Sequence, residues 1–362
     1  GNPSPAAPAE VSQGLFTVVI MSDPQFNWSC QDEYNNTSND YCRNPDNRAK
    51  PREQQARETN DFHISAINEI KRNTSASRWW GGLVINGDLT DFGSQNGHLD
   101  TFKNAYMGLG TVWPGLGNHD YANNVNDCGA QATPVWNYCA AEMVQFLADI
   151  ARNRSWITSR DVPTYSENWG QAGSQRNVTG SLAYSWDIGN FHFVQLNNYP
   201  TYTTSFKRGY SSGISSWDIN ITSPAGWLAN DLMQAQRSGK KIILNWHRYG
   251  DIYSTSANNP AERDKLIGML APYAPSIKAI FVGHHHSMYG KLDDLTFPAI
   301  FGRPEIRVPV IYSGSAIYNR FIQADFQTSP CMITTTVINT IGGRATPDYS
   351  SNGSTGVYNI NC

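Results

Sequence analysis

The sequence predicts an α/β fold, in which strands alternate with helices along the chain. Three observations support this. Short apolar runs rich in β-branched residues recur, which is typical of buried strands. Between them lie segments whose apolar residues recur with helical spacing. Polar residues gather where the predicted strands end, as they do in α/β proteins that bind ligands at one edge of a sheet.

The elements can be placed in order along the chain. Six strands are predicted, at Phe16–Ser22, Leu83–Ile85, Phe191–Leu196, Lys241–Leu244, Ile277–Val282 and Val308–Tyr312. Three helices are predicted, over residues 52–72, 140–151 and 225–237. Residues 24–51 and 121–139 are polar and irregular, and each holds a cysteine pair, so we predict two tied-down loops. No internal repeat and no linker between domains is evident.

Composition bounds the class of protein. The hydrophobic set makes up 40% of the 362 residues and charged residues 16%, which indicates a globular chain with a polar, weakly charged surface. The formal net charge of −3 gives no reason to expect a nucleic-acid partner. No apolar stretch is long enough for a membrane span. The opening GNPSPAAPAE predicts a flexible leader left after processing; a trimmed boundary is the alternative.

The six cysteines predict disulfide bonds. They form no Cys-x-x-Cys pair, which argues against a zinc site. Six cysteines allow many pairings, but proximity in sequence predicts Cys30–Cys42, Cys128–Cys139 and Cys331–Cys362. Disulfides indicate an oxidising compartment, so we predict a secreted or periplasmic/extracellular protein. The alternative is six free thiols in a cytosolic enzyme.

Five of the eight histidines lie in short segments that follow strand-like runs. The segments with candidate functional residues are Met21-Ser22-Asp23-Pro24-Gln25, Asn86-Gly87-Asp88-Leu89-Thr90-Asp91, Gly117-Asn118-His119-Asp120, Asn245-Trp246-His247 and Gly283-His284-His285-His286. Taken singly, each segment has an ordinary structural explanation, such as a helix cap, a turn or a core histidine. The functional signal lies in their joint order.

That order resembles the signature of the calcineurin-like metallophosphoesterases: Asp-x-Gln, Gly-Asp-x-x-Asp, Gly-Asn-His-Asp, a lone His after a strand, then Gly-His-x-His. The resemblance spans residues 16–316. It implies a four-layer αββα sandwich of two mixed β-sheets flanked by helices, with a small C-terminal appendix. It also implies an enzyme that hydrolyses phosphate esters. Gln25 departs from the many members that carry histidine there, which leaves the metal identity open.

The resemblance implies a centre of two divalent or trivalent ions, with zinc, manganese and iron as the candidates. Asp88 would bridge the ions, because a carboxylate can bind two metals. The implied ligands of one ion are Asp23, Gln25, Asp88 and His286, and those of the other are Asp88, Asn118, His247 and His284. Alternate residues of a strand point the same way, so His284 and His286 can share a face while His285 points away.

His119 is left outside the ligand set. The resemblance implies that a bridging hydroxide attacks phosphorus while His119 protonates the leaving oxygen or stabilises the phosphoryl group. Asp91 would fix the tautomer of His119, with Asp120 as the second choice; a turn or capping role is the alternative for Asp91. Weaker candidates for substrate contact are Arg248, Tyr249, His285, Tyr318, Asn319 and Arg320.

The predicted substrate is a small phosphorylated molecule. A monoester is favoured over a diester. The phosphate of a monoester is a dianion and benefits from extra positive charge, which Arg248 and His285 beside the predicted ligands would supply. The alternative is a phosphodiesterase, similar to a phospholipase C or sphingomyelinase, on the same site. A remoter alternative is a non-catalytic metal-binding scaffold, which His119 and the retained ligands argue against. In a purple acid phosphatase a tyrosine would stand at Asp91, so that class is excluded.

We therefore predict three parts in a monomeric chain. Residues 1–12 form a flexible leader, residues 13–328 form the catalytic domain, and residues 329–362 form a C-terminal extension stapled by Cys331–Cys362.

Overall fold

A computed structural model describes residues 14–34, 37–128, 135–170, 173–210, 216–349 and 356–362. Strands are numbered β1 to β19 and helices α1 to α6 in chain order. The predicted α/β class is confirmed: within these ranges the chain forms two seven-stranded mixed sheets, a five-stranded sheet and helices between them. The predicted leader, residues 1–12, lies outside the described residues.

The first sheet combines strands from the start and the end of the chain, in the order β18-β17-β16-β1-β2-β3, with β19 paired to β17. Its strands are β1 Leu15–Met21, β2 Trp79–Asn86, β3 Val112–Gly115, β16 Arg320–Gln327, β17 Met332–Asn339, β18 Thr346–Pro347 and β19 Val357–Asn361. Strands β1, β2 and β3 are parallel, so their carboxyl ends meet at one edge. Residues 329–362 supply the strands β17 to β19 beyond β16, and the predicted domain limits stay a prediction.

The second sheet has the order β14-β15-β13-β12-β9-β8-β5. Its strands are β5 Ser159–Arg160, β8 Tyr184–Ile188, β9 Phe191–Gln195, β12 Lys241–Asn245, β13 Ile277–Val282, β14 Tyr289–Phe297 and β15 Ile306–Ser313. Strands β9, β12, β13 and β15 are parallel to one another. All six predicted strands are therefore present, and β13 has the predicted bounds.

A third sheet was not predicted. It has the order β4-β10-β11-β7-β6, from β4 Val135–Trp136, β6 Thr164–Gly170, β7 Gly173–Gly180, β10 Thr204–Tyr210 and β11 Ser216–Ile221. These strands are rich in Ser, Thr, Asn and Gly and carry few β-branched apolar residues, so they lack the apolar runs by which the other strands were found.

The three predicted helices are confirmed. The α-helices among the described residues are α1 Pro45–Arg48, α2 Arg52–Thr74, α3 His98–Phe102, α4 Tyr138–Asn153, α5 Ala225–Arg237 and α6 Pro260–Leu270. In the part of the chain that the structure describes, no helix has both the length and the apolar composition to cross a membrane.

The two large sheets face each other across an aromatic core. Phe16 of β1 stacks on Phe326 of β16 at 4.7 Å between ring centroids, and both rings meet Phe191 of β9 edge-on at 5.7 and 5.0 Å. Alternate residues of strand β13 pack on opposite faces of the second sheet. Phe281 joins this inter-sheet cluster, whereas Ile280 packs in a second cluster with leucines of α5 and α6. With α2 packed on the first sheet, the layers are helix, sheet, sheet and helix.

Two of the three predicted disulfides are confirmed, Cys30–Cys42 and Cys331–Cys362. The third is wrong: Cys128 and Cys139 are buried free thiols. The two residues do lie close together, as their spacing suggested. Cys139 stands in the first turn of α4, where its backbone N–H needs an acceptor, and it donates to Cys128 Sγ at 3.1 Å.

Candidate metal centre

The five motif segments meet at the carboxyl edges of the two large sheets. Asp23 follows β1, Asp88 follows β2, Asn118 follows β3, His247 follows β12, and His284 and His286 follow β13. Backbone hydrogen bonds hold the first two segments together: Asp23 N–H donates to the Gly87 carbonyl at 2.9 Å, and Gln25 N–H to the Asp88 carbonyl at 3.0 Å. The sheet edges therefore bring together side chains that are up to 263 residues apart in sequence.

The backbone of this region is strained at several of the predicted ligands. Four of the seven predicted ligands have left-handed φ angles: Asp23 (54°), Gln25 (48°), Asp88 (53°) and His284 (73°). Such conformations cost about 1–3 kcal/mol each outside glycine and persist where function requires them. Gly87, at φ +89°, cannot be replaced, since an added Cβ would lie 2.7 Å from His247 Nδ1.

Two groups of side chains could each hold a metal ion. One group is Asp88, His247 and His284, and the other is Asp23, Asp88 and His286; within each group the ligand atoms lie within 4.8 Å of one another. Asp88 belongs to both. Asn118 Oδ1 lies 3.1 Å from His247 Nε2 and 3.1 Å from His284 Nδ1, which places this amide in the first group.

The residues at this edge fit a pair of cations. Asp23 Oδ1, Asp88 Oδ2 and both polar atoms of the Gln25 amide are buried and make no hydrogen bond. Burying polar and charged atoms without partners is costly unless a ligand satisfies them, and a cation does so for carboxylate oxygens. The mixture of carboxylate, amide and imidazole donors suits zinc, manganese or iron.

Each histidine of the centre is oriented through its other ring nitrogen. His247 Nδ1–H donates to the Asn86 carbonyl at 2.7 Å. His284 Nε2 lies 3.2 Å from Asp251 Oδ2, and His286 Nδ1 is bonded to Glu33 Oε1. Such partners fix the ring and its tautomer, and carboxylates make the imidazole a stronger ligand. Glu33 and Asp251 were missed from the sequence, because each lies in an irregular loop with no motif around it.

The electrostatics reflect this crowding of acids around histidines. Burial lowers the pKa of His247, but the carboxylates of Asp88 and Asp23 outweigh it and raise the pKa to about 9. Burial likewise lowers the pKa of His286, but the carboxylates of Asp23 and Glu33 outweigh it and raise the pKa to about 10. Burial acts to raise the pKa of Asp88, yet the neighbouring His247 and His119 hold it far below its usual value.

His119 stands beside the centre but is held differently from the prediction. Its Nδ1–H donates to the backbone carbonyl of Asp91 at 2.7 Å, and its own N–H donates to Asp88 Oδ1 at 2.9 Å. The carboxylate of Asp91 instead accepts from His98 Nδ1 at 2.9 Å. Residue 91 therefore contacts the His119 ring through its carbonyl oxygen, whereas its side chain, for which the role was predicted, binds His98.

Asp120, the second choice for this role, does not contact the imidazole. Its buried carboxylate accepts the backbone N–H groups of Gly117, Leu89 and Thr90 at 2.8, 3.2 and 3.1 Å. Burial and the charge of Asp88 raise the pKa of Asp120 to about 8, against the effect of these amides. Asp120 therefore shapes the loop that carries Asp88.

The predicted substrate contacts divide into two sets. Tyr249 is buried and its hydroxyl donates to the Asp294 carbonyl at 3.2 Å; Asn319 is buried as well. Arg320 is bound by Asp348 at 2.9 Å and Asp40 at 3.3 Å. The second set remains near the ligands: His285, Arg248, whose guanidinium is bonded to Asp251, and Tyr318, whose hydroxyl lies 3.3 Å from Ser38 Oγ. Tyr249, Asn319 and Arg320 are thus buried or bound within the protein, which is typical of residues that stabilise the fold.

Comparison with solved structures returned distant similarities. A dimetal phosphatase from Danio rerio shares 12% identity over 91% of this chain and 97% of that chain, with a TM-score of 0.47. PhoD shares 11% identity over 96% of this chain and 71% of that chain, also with a TM-score of 0.47. A 5′-nucleotidase from Candida albicans shares 12% identity over 90% and 51%, with a TM-score of 0.45.

No curated protein sequence matched the chain. The family model described as calcineurin-like phosphoesterase matches residues 16–288, which is about three quarters of the chain and includes every motif segment. The chain belongs to the calcineurin-like phosphoesterase family and is a phosphoric ester hydrolase.

Proposed function

We propose that the chain hydrolyses small phosphate esters with two metal ions held by Asp23, Gln25, Asp88, Asn118, His247, His284 and His286. The observation that carries the proposal is the pair of ligand groups that share Asp88 and leave buried carboxylate oxygens without hydrogen bonds. When bound there, the metal ions supply positive charge for the phosphoryl oxygens and a water molecule of lowered pKa as nucleophile.

His119 is proposed to protonate the leaving oxygen. Its Nδ1–H is committed to the Asp91 carbonyl, so only Nε2 can carry the transferred proton. The backbone N–H of His119 is bonded to Asp88, which ties the position of the acid to the shared ligand. This hydrogen bond supports a fixed position of the proton donor relative to Asp88, which favours proton transfer to the leaving oxygen.

A phosphodiester is the second candidate substrate, and one observation favours it. The monoester preference rested on Arg248 and His285 as sources of positive charge. In the structure Arg248 is paired with Asp251. Burial and the neighbouring His284 lower the pKa of His285 to about 4, so this ring is neutral at pH 7. With Glu33 and Asp251 adding two acids behind the ligands, a singly charged diester meets less repulsion than a dianion.

The experiment starts from metal-free protein reconstituted with zinc, manganese or iron. Hydrolysis of nitrophenyl phosphate and bis-nitrophenyl phosphate is compared for the wild-type protein and His119→Ala. We expect His119→Ala to keep both metals and to lose roughly 10²–10⁴-fold in rate, less for good leaving groups than for poor ones. Equal losses would assign His119 to electrostatic stabilisation, and no hydrolysis of any ester by the wild-type protein would overturn the proposal. The preferred ester decides between the two substrates.

We also propose that the enzyme acts outside the cytoplasm, as a secreted or periplasmic/extracellular monomer. The two disulfides, Cys30–Cys42 and Cys331–Cys362, are compatible with an oxidising compartment. Cell fractionation under thiol-blocking conditions tests the location, and recovery of the reduced protein in the cytosolic fraction would contradict it. Sedimentation of the metal-loaded protein tests the oligomeric state.

A further inference from the structure

Trp28 occupies a position that neither the motifs nor the mechanism above explains. Its indole ring lies 5.3 Å from the ring centroid of His119 and 5.3 Å from that of His286. The planes cross at 80° and 86°, so the indole stands edge-to-face with both imidazoles. His119 is the proposed proton donor for the leaving group, and His286 is a proposed metal ligand. Trp28 therefore lies beside the place where the leaving group departs.

The indole is held in this position by the same acid that orients His286. Trp28 Nε1–H donates to Glu33 Oε1 at 2.9 Å, and Glu33 Oε1 is also bonded to His286 Nδ1. The next turn is fixed as well. Ser29 N–H and Ser29 Oγ both donate to Asp32 Oδ2 at 2.9 Å, and Arg52 Nη1 binds Asp32 at 2.6 Å. The ring is thus set before any ligand arrives, which lowers the entropic cost of using it for binding.

The exposure of Trp28 separates it from the tryptophans that build the core. Trp113, Trp186 and Trp246 are fully buried, whereas Trp28 is only partly buried. A partly exposed, rigid aromatic ring next to reacting groups offers area for a planar apolar group, and such rings bind by stacking.

We propose that Trp28 forms the binding surface for the leaving group and selects phosphate esters whose leaving group is aromatic or heteroaromatic. The inference rests on the proposed function, because the position of the leaving group is taken from the role given to His119. It goes further by naming a substrate class and a residue that recognises it. The recognised feature is the planar ring next to the ester oxygen, whether the ester is a monoester or a diester.

The test measures binding separately from hydrolysis. Metal-loaded wild-type protein, Trp28→Phe and Trp28→Ala are titrated by calorimetry with phenylphosphonate and with methylphosphonate, which cannot be hydrolysed. Trp136→Ala is the matched control, since Trp136 is 58% exposed and lies on β4, outside the centre. Metal content and the rate on bis-nitrophenyl phosphate and nitrophenyl phosphate are measured for each variant.

We expect Trp28→Ala to weaken phenylphosphonate binding roughly 5- to 100-fold, the range given by stacking on an aromatic side chain. Trp28→Phe should lose only a few-fold, and Trp136→Ala should not change. Methylphosphonate binding and metal content should be the same in all four proteins. An equal loss for both phosphonates, or a loss of metal, would show that Trp28 only supports His119 and His286, and would overturn the inference. Absence of hydrolysis by the wild-type protein, with phosphonate binding intact, would overturn the proposed function instead.

Discussion

Two groups of buried histidines and carboxylates stand at opposite edges of the second sheet. At the carboxyl edge is the candidate metal centre. Near the amino ends of the parallel strands, His192 of β9 lies between Asp187 and Asp231, at 2.7 Å from each carboxylate. The far oxygens are also bound, to Lys240 at 2.7 Å and to Ser185 at 2.8 Å. Both groups are buried and both combine imidazole with carboxylate, yet only one has the properties of a ligand site.

The difference lies in which polar atoms are satisfied. Around His192 both ring nitrogens and all four carboxylate oxygens have partners within the protein. At the metal centre Asp23 Oδ1 and Asp88 Oδ2 accept no hydrogen bond, although His286 Nε2 and His247 Nε2 lie 3.4 and 3.1 Å away, and four predicted ligands have left-handed φ angles. In a structural network every polar atom has a partner within the protein. A binding site contains unsatisfied acceptors, and the ligand offsets their energetic cost when it binds.

Asp88→Asn should have the largest effect. The change removes the carboxylate that both ligand groups share, so hydrolysis should fall to the background rate and both metal ions should be lost. Thermal melting with and without added metal provides the measurement: the wild-type protein should gain stability from metal by mass action, and the variant should not. Full activity in Asp88→Asn would show that the two groups do not share this ligand.

Glu33→Gln tests whether an acid behind a ligand matters. An amide at this position can still accept the indole N–H of Trp28 but cannot carry the charge that strengthens His286 as a ligand. Metal affinity should fall about 10- to 100-fold, as is usual when such a partner is replaced. Competition with a chelator measures it. Glu305→Gln, at an exposed position in the turn before β15, is the control, and an equal affinity in both variants would deny Glu33 this role.

Asp231→Asn breaks the closed network at the other edge. His192 loses its buried carboxylate partner and keeps the partly exposed Asp187, and breaking a buried pair from one side costs about 3–5 kcal/mol. Urea unfolding of the metal-loaded protein should show this loss in the free energy of unfolding. Metal affinity should not change, because His192 contacts none of the proposed ligands. A variant that unfolds like the wild-type protein but binds metal more weakly would reverse the assignment of the two groups.

The pH dependence of stability should report on His192. Burial lowers its pKa, but the bonds to Asp187 and Asp231 raise it to about 9. Since the folded pKa lies above the unfolded value, the contribution is complete below about pH 6.5 and is lost as the pH rises through about 9. The metal-loaded protein should lose about 3 kcal/mol across this interval, because a shift of one pKa unit corresponds to about 1.4 kcal/mol. Unfolding curves from pH 6 to 10 measure it, and an equally steep decline in His192→Gln would exclude His192 as the cause.

The candidate ligands of the metal centre could be identified from the sequence, whereas the group around His192 could not. The strands that carry the ligands are buried on both faces, so each reads as an apolar run, and the polar residue that ends the run gives a candidate ligand. The ligand positions themselves came from the order of the motifs and stay a proposal. His192 was not singled out, because its partners Asp187 and Asp231 lie on a hairpin and a helix with no shared motif.

Other features depended on three-dimensional contacts that no local pattern records. Glu33 and Asp251 reach the histidines from irregular loops. Whether Asp91 would use its carboxylate or its carbonyl depends on the path of the chain around His98. The predicted Cys128–Cys139 disulfide is wrong because closeness in sequence does not distinguish a disulfide from a hydrogen bond between a backbone N–H and a thiol sulfur. The third sheet was missed because its strands are polar.

The Cys30–Cys42 ring has a consequence for how the enzyme matures. Glu33 lies within the segment that this disulfide closes, and Glu33 orients His286. Oxidation of the ring and loading of the metals are therefore thermodynamically linked, and linkage is reciprocal. By this reciprocity, a disulfide that improves metal affinity is itself made harder to reduce by bound metal. The disulfide can form before or after the metals bind. Either order gives the same final state, and each step favours the other.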